Sequence, residues 1–347
     1  MKNIYNFSYN DLVSYFLSIG EKPFRATQMF EWLYRARVNS FDEMTNVSKN
    51  TISHLKENFE FGHLDMVDKQ VSSDGTTKYL FKLYDSKLIE TVLMRHNYGN
   101  SICVTTEVGC NMGCSFCASG ELGKVRNLEL CELVEQVLQV QKDIDKNFER
   151  VTNIVVMGIG EPFDNYDNVM KFLEVVNYPK GLEIGARHIT VSTCGLVPKI
   201  KEFADFPLQV NLAISLHAPN DEIRSKIMKI NKVYPINEVL DSVKYYIQKT
   251  NRRVTFEYIL LRGVNDSIEC AKELASLIKG INAYVNLIPY NEVSTKEYKK
   301  VTRETAEKFF EVLDKNHIQA TLRMEHGADI DAACGQLRAK KLGVEHE

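Results

Sequence analysis

Apolar positions along the 347-residue chain change their spacing twice. Up to residue 62 they recur at intervals of three and four. Phe24, Met29, Phe30 and Leu33 share one side of a helix expected over Phe24–Arg37, and Ser8 or Asn10 can cap an earlier one over Asp11–Ile19. Residues 1–62 therefore read as a small helical accessory domain. From 63 to 98 alternation takes over, in Lys78–Leu83 and Ile89–Met94, with a turn at Ser73-Asp74-Gly75, which predicts a connector or small sheet. From 99 to 347 short apolar runs alternate with amphipathic stretches. Strands are expected at Ile102–Thr106, Asn153–Met157, His188–Ser192, Gln209–Leu216, Val254–Leu261 and Tyr284–Pro289. Helices are expected at Glu129–Lys146, Asn165–Val176, Ile236–Lys249, Ile268–Lys279 and Arg303–Lys315. Six β/α units in succession imply an α/β fold with a parallel sheet, which right-handed crossovers curl into a full or partial barrel. Ligands then gather at the carboxyl ends of the strands, where the connecting loops meet.

Composition suits an intracellular enzyme. A hydrophobic content of 44% supports a sizeable core, and a net charge of −3 means that any nucleic-acid surface must be local, as in Arg252-Arg253, Lys299-Lys300 or the tail's Arg338, Lys340 and Lys341. No signal peptide, lipidation motif or apolar run of 18 residues appears, so a cytoplasmic location without membrane attachment is expected. Eight cysteines in such a chain point to metal binding or catalysis, since cytosolic thiols stay reduced.

Three of those cysteines, Cys110, Cys114 and Cys117 in the run GCNMGCSFC, follow the first barrel strand and lie on the ligand face. Three thiolates so close can hold three irons of a 4Fe-4S cube, and the run has no fourth cysteine to close it. The open iron can be chelated by the amino and carboxylate groups of S-adenosylmethionine. A structural zinc site needs four ligands, and His188 and His217 stand too far along the chain to complete one. Other polar residues fall at the same end of successive strands. They are Gly160 and Glu161 in Gly158–Pro162, Ser192, Ser215-Leu216-His217, and Asn291. Any one of them alone reads as a turn or cap; their coincidence on one rim reads as a binding site.

The C-x3-C-x2-C spacing, with Phe116 before the last cysteine, resembles the radical SAM superfamily, and Gly158–Pro162 resembles its GGEP-type motif for the methionine amine. Cys131, Cys194 and Cys270 read as packed small hydrophobes. Cys103, seven residues before Cys110, and Cys334, among the small residues Ala332, Ala333 and Gly335, do not. The run DIDAACGQL, the Cys103 spacing, Glu90–Met94, Ser215–Asn220, Gly263–Asp266 and Lys22–Arg25 together are similar to the RlmN/Cfr family of radical SAM RNA adenine methyltransferases, over nearly the whole chain. Pro162, Phe163–Asn165 and Ile89–His96 resemble the RlmN branch, which acts on adenine carbon 2, more than the Cfr branch, which acts on carbon 8. Lys229 departs from the family, which commonly has proline there.

The resemblance implies a mechanism. One S-adenosylmethionine methylates Cys334, and a second, cleaved at the cluster, yields a radical that takes a hydrogen from that methyl. The methylene radical adds to an adenosine of 23S rRNA in the peptidyl-transferase centre or, in some members, to one beside the tRNA anticodon. Glu90 is the implied proton acceptor, and Cys103 releases the product by forming a disulfide with Cys334. Two S-adenosylmethionine molecules and an external flavodoxin- or ferredoxin-type donor serve each turnover of a monomeric enzyme. Alternatives remain open from the residues alone: carbon-8 methylation, a radical SAM enzyme for a peptide or small molecule, which has no need of the Cys103/Cys334 pair, and a non-catalytic iron–sulfur RNA-binding protein, which needs neither that pair nor the S-adenosylmethionine motif.

Overall fold

The computed structural model describes the whole chain except residues 63, 121, 122, 294, 324–326, 328, 331–334 and 342–347. Cys334 therefore lies outside the described residues.

Ser8 begins the helical module by capping α1 (Tyr9–Ser18): its Oγ accepts the Asp11 N–H at 3.2 Å and Asp11 accepts the Ser8 N–H at 2.9 Å. α2 (Phe24–Phe30) passes into a π-wound stretch, Glu31–Ala36, that stops at Arg37 in the left-handed region (φ 56°). The expected helix keeps its extent but not its winding. Met29, Phe30 and Leu33 are buried, whereas Phe24 is exposed and lies under the Arg25 guanidinium. α3 (Lys49–Asn58) completes the module, and a short parallel pairing of Lys2–Asn3 with Phe59–Glu60 joins its two ends.

Ten strands form one sheet: β1 (Asp65–Val71), β2 (Thr77–Lys82), β3 (Leu88–His96), β4 (Gly99–Cys103), β5 (Val151–Val156), β6 (Ile189–Thr193), β7 (Asn211–Ser215), β8 (Val254–Leu260), β9 (Ala283–Pro289) and β10 (Ala320–Leu322). Sequence neighbours are sheet neighbours throughout. β1 to β4 pair antiparallel; β4 to β10 run parallel. The ends of the sheet, β1 and β10, do not pair among the described residues, which makes the barrel partial. All six expected strands are present, and β10 adds a seventh parallel one. The helices between and after these strands are α4 (Leu130–Ile144), α5 (Tyr166–Asn177), α6 (Val197–Phe203), α7 (Asp221–Ile227), α8 (Ile236–Thr250), α9 (Ile268–Ile278), α10 (Arg303–Lys315) and α11 (Gln336–Lys341).

Side chains alternate along each strand, and that alternation positions the site. In β8, Phe256, Tyr258 and Leu260 are buried beneath the helices, with Tyr258 packed on Phe309 of α10. Thr255, Glu257 and Ile259 point the other way, into the barrel, on the face that carries Ser192 of β6 and Ser215 of β7. No helix among the described residues is long and apolar enough to cross a membrane.

Candidate active site

The cysteine loop leaves the end of β4 and is bound down at several points. The Ser115 N–H donates to Ile227 O at 2.9 Å, its hydroxyl meets the Tyr298 hydroxyl at 2.7 Å, and the Tyr290 hydroxyl donates to Phe116 O at 3.1 Å. Gly109 adopts φ 83°, and a Cβ there would stand 1.7 Å from Gly123 O, so only glycine fits where the loop folds on itself. Cys114 and Phe116 pack against a small apolar cluster that includes Cys194, Ile227, Met228 and Leu261. Burial, together with Glu107, Cys117 and Glu161, pushes the Cys110 thiol up to about 12; Cys114 rises for the same reason, with Cys117 and Cys110 adding to burial. The three thiols thus feel one another.

These thiols fit an iron–sulfur cube. Buried, mutually repelling thiolates need a cation to hold them in the ionised form, and a cube places each one on a different iron. Among the described residues no three Cys, His, Asp or Glu side chains converge tightly enough for a single ion. A cube does not require that.

The strand-end residues meet the cysteine loop at His217. Ser192 and Ser215 hydroxyls lie 3.4 Å apart at the ends of β6 and β7. The Leu216 and His217 N–H groups both donate to Glu257 O, at 3.1 and 3.2 Å, which carries the chain past the end of β7. His217 adopts φ 59°, and its buried ring meets Phe116 edge-on at 5.2 Å. Burial, helped by nearby Arg224, drives this imidazole down to about 3, and its Nδ1 accepts the Ile259 N–H at 3.1 Å. The ring is therefore neutral, with its proton on Nε2. Asn291 follows β9 and is exposed.

Glu161 behaves differently from the expectation of an acceptor facing the ligand. Its carboxylate is buried and accepts the Phe163 N–H at 3.0 Å and the Cys194 N–H at 2.8 Å. Burial raises its pKa, an effect those donors oppose. Gly160 (φ 105°) is required by packing, since a Cβ would stand 2.6 Å from Glu107 Cβ. This turn braces the rim from below.

A second constellation joins β3, β4 and the tail. Cys103 opposes Val92 across the antiparallel β3/β4 pair, so Glu90, two residues from Val92, is its diagonal neighbour on one sheet face. The buried Glu90 carboxylate accepts Lys78 Nζ at 2.9 Å, the Gly335 N–H at 2.7 Å and the Arg338 N–H at 2.6 Å. A Cβ on Gly335 would stand 3.3 Å from Ser119, two residues beyond Cys117. Glu90 thereby holds the tail immediately after Cys334, against the exit of the cysteine loop.

Comparison with known proteins decides the family. Residues 104–277 match the model of the radical SAM superfamily, and residues 2–61 match that of the ribosomal RNA large subunit methyltransferase N-terminal domain. A probable dual-specificity RNA methyltransferase RlmN from Geobacillus kaustophilus is 57% identical over 98% of this chain and 93% of its own length. One from Acholeplasma laidlawii is 56% identical over 98% and 99%. The chain belongs to the RlmN family. A radical SAM methyltransferase from Sphaerobacter thermophilus superposes with a TM-score of 0.92 at 41% identity, covering 97% of this chain and 99% of that one.

Two groups in this RlmN chain escaped the sequence reading. Arg224 of α7 is fully buried; its guanidinium donates to Cys194 O at 2.6 Å, Leu216 O at 3.1 Å and Ser215 O at 3.2 Å, clamping the loops after β6 and β7 together beside Cys114. Glu107, raised to about 7 by burial, ties Lys124 (2.7 Å) to the turn at Glu161, whose N–H it accepts at 3.1 Å. Asp221–Ile227 and Thr105–Val108 carry no motif of their own, so only their three-dimensional neighbours give these residues a role.

Proposed function

We propose that this RlmN-family enzyme methylates carbon 2 of an adenosine in 23S rRNA, and of an adenosine beside the tRNA anticodon, through a methyl carried on Cys334. The chain is a S-adenosylmethionine-dependent RNA methyltransferase with a 4Fe-4S cluster, and it consumes two S-adenosylmethionine molecules per methyl. The bound cluster, on Cys110, Cys114 and Cys117, supplies the electron for reductive cleavage of S-adenosylmethionine. Gly160, Glu161, Ser192, Ser215, Leu216, His217 and Asn291 form its rim. Ionised groups there are braced within the protein, so the rim binds with hydroxyls, backbone and a neutral imidazole.

The observation that carries the reading is the Glu90 bridge. A carboxylate that neighbours Cys103 on the sheet and grips the residue after Cys334 supports a role for Glu90 in product release. The methylene radical on Cys334 adds to carbon 2, and the adduct radical regains its aromatic ring by giving its unpaired electron to a one-electron acceptor, which the oxidised cluster would provide, and its carbon-2 proton to a base, here Glu90. The Cys103 thiolate then attacks Cys334 sulfur, forms the disulfide and leaves the electron pair of the broken carbon–sulfur bond on the new methyl carbon, which takes up a proton. An external donor of the flavodoxin or ferredoxin type supplies the cluster, and reducing equivalents reopen the disulfide. We assign residues 1–62 to gripping the RNA, and the chain to acting as a monomer in the cytoplasm.

Cys103→Ala tests the assignment. The variant should still methylate Cys334, seen as S-methylcysteine by mass spectrometry, but should accumulate a covalent adduct with RNA that nuclease digestion collapses on a denaturing gel. Cys334→Ala should give neither adduct nor product. Normal turnover by the first variant, or an adduct in the second, would overturn the two roles.

A further inference from the structure

At the opposite end of the barrel, where β6, β7 and β8 begin, a cleft of about 530 Å³ is lined by Arg187, Gln209, Asn211, Arg252, Arg253 and Thr255, among others, with no carboxylate among its lining residues. Among the described residues the three guanidinium groups make only neutral contacts there. Arg187 donates to Gln209 Oε1 at 3.0 and 3.1 Å, Arg252 to Asn211 Oδ1 at 2.7 Å and Arg253 to Gln319 Oε1 at 3.1 Å. Arg253 also lies over the Tyr284 ring at 5.0 Å, and the Arg252 guanidinium borders the Tyr246 hydroxyl. Arg252 Nε is shut away from water without a hydrogen-bond partner. Elsewhere in this net-acidic chain cations sit on carboxylates, as Arg37 does on Asp145 and Arg126 on Glu132.

Three like charges held in one cleft by neutral partners repel one another until an anion enters, and planar guanidinium forks match tetrahedral oxyanions. Gln209, Asn211 and Gln319 fix the directions of those forks while leaving their charge unneutralised. We infer that this cleft binds phosphate groups. The five-residue strands β6 and β7 put it roughly 15–20 Å from the rim, so an RNA that reaches round the barrel can supply those phosphates while its target adenosine is at the rim. A free phosphorylated molecule offers the same chemistry.

Full-length protein should bind pyrophosphate by calorimetry, and Arg187→Gln/Arg253→Gln should weaken that binding at least tenfold without shifting the melting temperature by more than a few degrees. Arg252→Lys, which keeps the charge and loses the fork, should fall in between. If the phosphates belong to RNA, the double variant should also bind the RNA substrate more weakly, with a slope against salt shallower by about one to two, and pyrophosphate should compete. Lost pyrophosphate binding with unchanged RNA affinity assigns the cleft to a free phosphorylated ligand. Pyrophosphate binding that is absent, or equal in wild type and variants, together with RNA affinity unchanged across salt, overturns the inference.

Discussion

The two ends of the barrel treat charge in opposite ways. At the carboxyl end, the buried ionisable groups Glu90, Glu161 and Arg224 are tied to the protein, mostly through backbone N–H and C=O groups, and each holds a loop in place. At the amino end, three arginines donate to side-chain amides and border tyrosines, with no carboxylate among these contacts to neutralise their charge. Charge at the first end builds the site; charge at the second waits for something to neutralise it. Substitutions at the first end should therefore damage stability and catalysis together, and those at the second should be nearly silent until an anion is added.

The largest effect is expected at the cysteine loop. Alanine at Cys110, Cys114 or Cys117 should abolish the broad visible absorption of anaerobically prepared protein and reduce methylation to background, while circular dichroism stays that of a folded α/β protein. Wild-type protein that is colourless and carries stoichiometric zinc would contradict the cluster assignment.

Next comes the Arg224 clamp. Arg224→Met leaves the carbonyls of Cys194, Leu216 and Ser215 buried without their donor, a loss of roughly 3 kcal/mol or more. The same change at Arg252, whose charge faces the cleft, should cost about 1 kcal/mol or less. Denaturant midpoints of the two variants measured side by side would break the comparison if they shifted equally. The Arg224 variant should also show a raised KM for S-adenosylmethionine, because the clamp positions Ser215–His217.

The barrel interior gives a pH-dependent test. Glu257, buried between the two ends and bound by Asn286 Nδ2 at 2.8 Å, is raised to about 7 by burial from an ordinary 4.5. The folded state therefore holds its proton more tightly than the unfolded state does. The stability this contributes is fully present below pH 4.5 and is lost as pH rises through 7. Glu257→Gln keeps an acceptor for Asn286 without a charge to bury. It should match wild type near pH 4 and be more stable by up to roughly 3 kcal/mol at pH 8. Equal melting curves at both pH values would show that the carboxylate is not desolvated in this way.

The fold was legible where the apolar pattern was strong. Val254–Leu261 and Arg303–Lys315 were placed to within a residue because a continuous apolar run and a capped amphipathic stretch leave little choice. β1 was missed because Asp65, Asp68, Lys69 and Gln70 make an exposed edge strand with little apolar signal, and β10 because it has only three residues. Residues 63–98 read as a connector or small sheet, and β1 to β3 extend the barrel sheet without a break, because pairing partners are not encoded locally. In the site, cysteine spacing and strand-end residues could be read directly. The engagement of Glu161 by Cys194, and the grip of Glu90 on Gly335, depend on contacts between residues 33 and 245 positions apart, which no local pattern reveals. Residues 331–334, including Cys334, lie outside the described residues, so Glu90 and Gly335 alone show how that segment is approached.

The smallest expected effect concerns Lys229, the residue that departs from the family's usual proline. Its stem crosses the cysteine loop at Gly113, where φ is 63° and a Cβ would stand 3.0 Å from Lys229 Cδ and 3.3 Å from its Nζ. A cation so placed favours the more negative, reduced state of a cluster held by that loop, so Lys229→Met should lower the cluster's reduction potential. The side chain is exposed, so water and salt screen the charge, and the change should be on the order of 1 kcal/mol or less per electron. Redox titration at low and high salt separates this from a structural effect. A Coulombic shift shrinks as salt rises, whereas a shift that is independent of salt would mean that the stem, by packing on Gly113, sets the geometry of the loop.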